Sequence, residues 1–161
     1  MENLLDAKIV DLLNYRIQQE EYSARLYMHM SLWLDNKGYK HMSKLYKDYS
    51  EEERAHAQWA CDFLLNHGIT PDLKAIPSPT SEYSSCMDLL EATLEHELDI
   101  QKQCEEMAEK ALEFKNAALR SLALKYCEEQ VDEIGKAIDL IDHAKLTTDM
   151  LVLDHYVERY I

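Results

Sequence analysis

The sequence predicts an all-α chain: a bundle of four long helices with one extended crossover between the second and third, closed by a short fifth helix. Three observations carry this. The 161 residues include only three Gly and three Pro, which leaves little room for turns, while long stretches rich in Glu, Lys, Leu, Ala and Met favour helix. Apolar residues recur in steps of three and four along four separate stretches, the period of a helix that buries one face. All three prolines, Pro71, Pro77 and Pro79, fall between Ile69 and Ser85, which marks that segment as extended chain and not as a broken helix.

The first helix, about Asp6 to Asp35, carries the stripe Leu13, Ile17, Glu20, Ala24, Tyr27, Ser31 and Leu34. Asn36-Lys37-Gly38 ends it, and so short a connection makes the second helix an antiparallel neighbour. That helix, about Tyr39 to His67, aligns Met42, Tyr46, Tyr49, Glu53, His56, Ala60 and Phe63 and stops at Gly68. A helix of about 28 residues is ~42 Å long, while 16 or so extended residues reach ~53 Å. The proline segment therefore has the length to run back along the bundle and start the third helix parallel to the second. Helix three, about Ser85 to Ala111, has the stripe Leu90, Thr93, Glu97, Ile100, Cys104, Met107 and Ala111. Helix four, about Asn116 to Ala144, follows the turn Glu113-Phe114-Lys115-Asn116 with Leu119, Ala123, Tyr126, Gln130, Glu133, Ala137, Leu140 and Ala144. Met150 to Ile161 forms a last helix too short to be a bundle member. Residues 1–161 read as one domain.

Each of the four stripes is interrupted near its middle by polar residues of metal-ligand type: Glu20, Glu53 with His56, Glu97, and Gln130 with Glu133. In a bundle these arrive at one level on the axis. Glu53 and His56 lie three residues apart, so both leave one helix face about one turn apart. Four carboxylates in a low-dielectric core repel one another, and burying even one without a partner costs several kcal/mol. The stripes contain His56 and no Lys or Arg, so a pair of metal ions is the expected counter-charge. Carboxylate oxygens with one imidazole and no thiolate suit Fe(II) or Mn(II) better than structural Zn. Helix four lacks the second imidazole of the usual Glu-x-x-His template, so the second metal is expected to be held less firmly.

Composition narrows the function classes. A formal net charge of −14 opposes nucleic acid as a partner, since that binding needs basic patches. The start, Met1-Glu2-Asn3-Leu4, carries no signal segment and no apolar run is long enough to span a membrane, so a soluble cytoplasmic protein is expected. Cys61, Cys86, Cys104 and Cys127 are widely spaced, without Cys-x-x-Cys, and read as reduced core thiols. The histidines other than His56 are assigned surface or packing roles.

Over nearly the whole chain the sequence resembles the non-haem ferritins. Glu20 and Tyr27 in Gln19-Glu20-Glu21-Tyr22-Ser23-Ala24-Arg25-Leu26-Tyr27, Glu53 and His56 in Glu52-Glu53-Arg54-Ala55-His56, Glu97, and Gln130 in Glu129-Gln130 are similar to that family's ferroxidase centre. Similarity to the bacterial members adds a third iron site at Glu52, Glu129, Asp132 and Glu133. The resemblance implies a ferritin-like bundle, a homo-oligomeric shell of twenty-four subunits, oxidation of Fe(II) by dioxygen or peroxide, and storage of a ferric mineral. Glu133 stands where haem-bearing bacterioferritins usually keep a second His, so haem is not expected. A catalytic di-iron protein of rubrerythrin or oxidase type is the competing class, disfavoured by the absence of a rubredoxin-type Cys pair. Near the start of helix four, Lys115, Asn116 and Arg120 replace the acidic residues that commonly line the family's entry pores.

Overall fold

The computed structural model describes residues 4–79 and 82–161. Met1, Glu2 and Asn3, and Thr80 and Ser81 within the expected crossover, lie outside the described residues. Helices α1 (Ala7–Asn36), α2 (Lys40–Asn66), α3 (Cys86–Glu113) and α4 (Ala117–Lys145) form the bundle, and α5 (Met150–Val157) closes it, followed by a single 3-10 turn, Glu158–Tyr160. The last helix is thus shorter than Met150 to Ile161. Ser85 and Asn116, counted as helix residues in the sequence reading, are N-caps whose side chains accept the N–H of Asp88 and Leu119. Asp6 and Asp149 cap α1 and α5 in the same way, each such bond contributing about 1 kcal/mol.

Gly38 (φ 94°) and Gly68 (φ 72°) end α1 and α2 in the left-handed conformation. At Gly38 the following Tyr39 N–H reaches back to Leu34 O at 3.0 Å, so the chain turns sharply into the next helix. The α1–α2 hairpin is then fastened by a reciprocal pair, Ser31 Oγ to Ser43 O at 2.7 Å and Ser43 Oγ to Ser31 O at 2.8 Å.

The crossover can be followed along α1. Asp72 N–H donates to Asn14 Oδ1 at 3.0 Å, Gln18 Nε2 donates to Ala75 O at 2.7 Å, and Tyr83 meets the Trp33 ring edge-on at 5.7 Å. It therefore runs in the direction of α1 and delivers α3 to the end where α2 begins. Cys86 Sγ lies 3.8 Å from Met42 Sδ, and Tyr46 Oη lies 2.8 Å from Thr93 Oγ1, so α2 and α3 advance together.

Two apolar clusters fill the interior. One gathers Tyr27, Met30, Leu34, Met42, Tyr46, Leu90, Leu140 and Leu153, the other Leu13, Ile17, Ala60, Leu64, Ile100, Met107, Leu119 and Tyr126. Along every helix the buried Glu20, Glu53, His56, Glu97, Gln130 and Glu133 fall between them. Every residue of the four expected stripes is buried except Phe63, which is half-buried while its neighbour Leu64 takes the core position.

Candidate metal centre

Two sets of ligand atoms meet in the polar layer. Glu20, Glu53 and His56 form one group and Glu53, Glu97 and Glu133 the other, and within each the ligand atoms lie within 4.8 Å of one another. Glu53 belongs to both. His56 Nδ1 is 3.1 Å from Glu53 Oε2 and 3.9 Å from Glu20 Oε2, while its Nε2 faces Glu129 Oε1 at 3.6 Å. The α2 spacing of three residues brings Glu53 and His56 into register, and the Tyr126 hydroxyl, which donates to His56 O, ties α4 to that turn.

Glu97 is held from two sides. The Tyr27 hydroxyl donates to Oε1, and Gln130 Nε2 donates to Oε2 and, at 2.9 Å, to Glu97 O. Tyr27 is thus both a fully buried core ring and a partner of a candidate ligand, and in this orientation the Gln130 amide positions Glu97. Lys136 Nζ approaches Glu133 Oε1 at 3.5 Å and Glu52 Oε2 at 3.8 Å. Asp132 is exposed on α4. Among the described residues, Glu52, Glu129 and Asp132 join none of the groups whose ligand atoms lie within 4.8 Å.

Burial and mutual repulsion dominate the electrostatics. Burial, then Glu20, Glu97 and Glu133, raise the Glu53 carboxyl well above its ordinary range. Burial raises Glu97 too, although the bonds from Tyr27 and Gln130 oppose it. Burial pushes Glu133 up to about 8, with Lys136 pulling the other way. The centre without metal therefore holds protons that a cation would displace.

One charge was missed in the sequence. Arg16 is 1% exposed and its Nε lies 3.0 Å from Glu20 Oε1, an ion pair without hydrogen-bond alignment, while Nη2 donates to Gln103 Oε1 at 3.0 Å. Its guanidinium carbon stands 5.9 Å from the Tyr126 ring centroid. The stripes themselves hold no Lys or Arg, but Arg16 brings a cation into the interior from beside them: it sits one turn before Glu20, and its aliphatic stem lets the charge enter from the flank. The i, i+4 spacing to Glu20 was the available signal. The other oxygen, Glu20 Oε2, is buried with no hydrogen-bond partner. A buried carboxylate oxygen left open beside an imidazole fits a cation better than a closed ion-pair network.

His96, expected to pack, takes Ser23 Oγ at 2.8 Å and the edge of the Tyr27 ring at 5.8 Å. Burial pulls this imidazole down to about 4, so it stays neutral beside the centre. The four cysteines are unpaired.

Comparison with known proteins identifies the family and the fold. The family model Ferritin, the ferritin-like domain, matches residues 10–147. A probable bacterial non-heme ferritin-like protein of Haemophilus influenzae is 32% identical over 130 residues, covering 81% of this chain and 79% of its own length. A bacterial non-heme ferritin of Escherichia coli is 28% identical over 143 residues, covering 89% and 87%. Among solved structures, an open pore ferritin from Archaeoglobus fulgidus superposes with a TM-score of 0.91 at 32% identity over 95% of this chain and 96% of that one. Chlorobium tepidum ferritin gives 0.85 at 28% identity over 97% and 96%.

Proposed function

Because the chain belongs to the ferritin-like domain family, we propose that it is an iron-storage protein that oxidises Fe(II) inside each subunit and deposits ferric mineral within a hollow homo-oligomeric shell. The observation that carries this reading is the shared carboxylate: Glu53 stands in both ligand groups, so two ferrous ions bound there become neighbours bridged by one side chain. Glu20 and His56 complete the first position, and Glu97 and Glu133 the second. Gln130 and Tyr27 orient Glu97 and serve the second position.

Iron is the substrate, and each step follows from these residues. Entry of Fe(II) expels the protons held by Glu53, Glu97 and Glu133, because the cation replaces them as the charge that the buried carboxylates need. Each ferrous ion gives one electron to a dioxygen placed between them, and two-electron reduction with uptake of two protons yields hydrogen peroxide; peroxide itself serves as the alternative oxidant. An oxygen-rich ligand set favours the ferric product. The second position lacks an imidazole and shares Glu133 with Lys136, so its ion leaves more readily toward the mineral. Glu52, Glu129 and Asp132, with Glu133, are proposed as a third iron site beside the first two. The shell is proposed to hold twenty-four subunits, as in the family. No helix among the described residues is long and apolar enough to cross a membrane.

The test is aerobic addition of Fe(II) in large excess over the chain. Storage yields a soluble particle of hundreds of kilodaltons carrying many irons per chain. A protein that retains two irons per chain while the rest precipitates is a resident di-iron enzyme, and the storage reading fails.

A further inference from the structure

Helical spacing does not connect His41 with His155, yet the fold brings both to one place. His41 in the first turn of α2, His155 on α5 and Glu158 in the 3-10 turn present ligand atoms that all lie within 4.8 Å of one another. We propose that these three residues form a second metal site, for a divalent first-row transition ion, that clasps α5 to the start of α2. It lies twelve residues before Glu53, about 18 Å along the helix axis, and needs none of the centre's ligands.

His155 and Glu158 are three residues apart, one turn, so both reach toward α2. The His41 and His155 ring centroids are 5.8 Å apart, and His41 Nε2 is 3.8 Å from Glu158 Oε1. A buried carboxylate already orients the His41 imidazole. Asp154 is buried at 6% exposure; its Oδ1 accepts the Met42 N–H at 2.9 Å and its Oδ2 lies 3.2 Å from His41 Nδ1. With one oxygen fixed by the helix N-terminus, Asp154 holds the proton on Nδ1 and directs the Nε2 lone pair outward, the arrangement in which metal-bound imidazoles are oriented by a carboxylate. Two imidazoles and one carboxylate with open positions suit Zn(II) or Fe(II), and not Mg(II) or Ca(II), which take oxygen ligands. His155 and Glu158 are exposed, so their side chains have room to close the ligand atoms onto one ion. The ion would bind the last helix to the bundle by a bond that depends on metal supply.

The test uses Zn(II) as a redox-inert probe on full-length, metal-free protein carrying Glu53→Ala and His56→Ala, which disables the central positions. Added to that background, His155→Ala and Glu158→Gln alter exposed side chains and leave the Asp154 contacts to His41 and Met42 in place. In the background protein, equilibrium dialysis is expected to find a bound zinc that depends on His155 and Glu158, and zinc is expected to raise the thermal unfolding temperature. Either further change is expected to weaken that zinc at least tenfold and abolish the thermal rise. Crystals soaked in zinc should show anomalous density beside His41 Nε2. Equal zinc affinity in the background protein and its His155→Ala form, or no zinc density at His41, would overturn the proposal and leave His41 as an ion-pair partner of Asp154 and Glu158.

Discussion

Glu53 stands in both groups of candidate ligands, and without metal it is an acid among acids. Burial and the neighbouring Glu20, Glu97 and Glu133 hold its carboxyl well above the ordinary range, so the metal-free centre stores repulsion. Glu53→Ala is therefore expected to leave the stability of the metal-free protein unchanged or raised, opposite to the usual cost of damaging a core. Thermal unfolding after chelation checks this; a large loss would identify Glu53 as half of a structural ion pair. Arg16 behaves in the reverse sense. It offsets Glu20 in the interior, and Arg16→Met removes this cation while leaving the carboxylate buried, at an expected cost of about 3 kcal/mol in the metal-free protein. Bound metal supplies the same charge, so the gap in unfolding temperature between metal-loaded and metal-free protein should widen in this variant. An unchanged gap would mean that Arg16 does not act through Glu20.

At the scale of helices, what the sequence showed and what it hid divide along range. Stripe positions follow from the helical period, so residues as separate as Leu13, Glu97 and Ala144 are assigned to the interior from spacing alone, and the polar layer emerges with them. Caps and flanking groups depend on partners far along the chain. Tyr39 gives α2 no side-chain cap; Asp154, 112 residues beyond Met42, supplies it at Met42, and nothing near Tyr39 announces this. Arg16 stayed hidden because its backbone lies beside the stripe and only its stem carries the charge inward. The α3–α4 turn shows the local rule in a less favourable form. Lys115 takes the left-handed conformation (φ 54°) that glycine occupies after α1 and α2, with Asn116 N–H reaching back to Ala111 O at 3.2 Å. A side chain there costs about 1 kcal/mol, so Lys115→Gly should stabilise the protein by roughly 0.5–1 kcal/mol. A fall in unfolding temperature would show that the Lys115 side chain makes a contact worth more than this strain.

For the whole molecule, the buried carboxylates couple stability to pH and, on the proposed function, to metal. Glu133 is raised to about 8, and Glu53 and Glu97 are raised as well. A carboxyl raised in the folded state holds its proton where the unfolded chain has lost it, so its contribution is complete below about 4.5 and is lost as pH rises through the folded value. The metal-free protein is thus expected to lose stability between pH 5 and pH 8, while its affinity for divalent metal climbs over the same range as fewer protons must be displaced. Thermal unfolding at several pH values, with and without metal, reads both slopes; a metal-free stability that rises toward pH 8 would place these carboxylates in closed ion pairs. The exposed Leu146, Leu151 and Val152 cluster in sequence around the α4–α5 joint and offer apolar surface for assembly of the proposed shell. The most direct test of the shared-carboxylate centre is stopped-flow oxidation of Fe(II) at two irons per chain. Wild-type protein should oxidise both in one fast phase, His56→Ala should slow it by weakening one position, and Glu53→Ala should slow it further by weakening both. A wild-type rate in Glu53→Ala would contradict the assignment and move the oxidation chemistry away from α2.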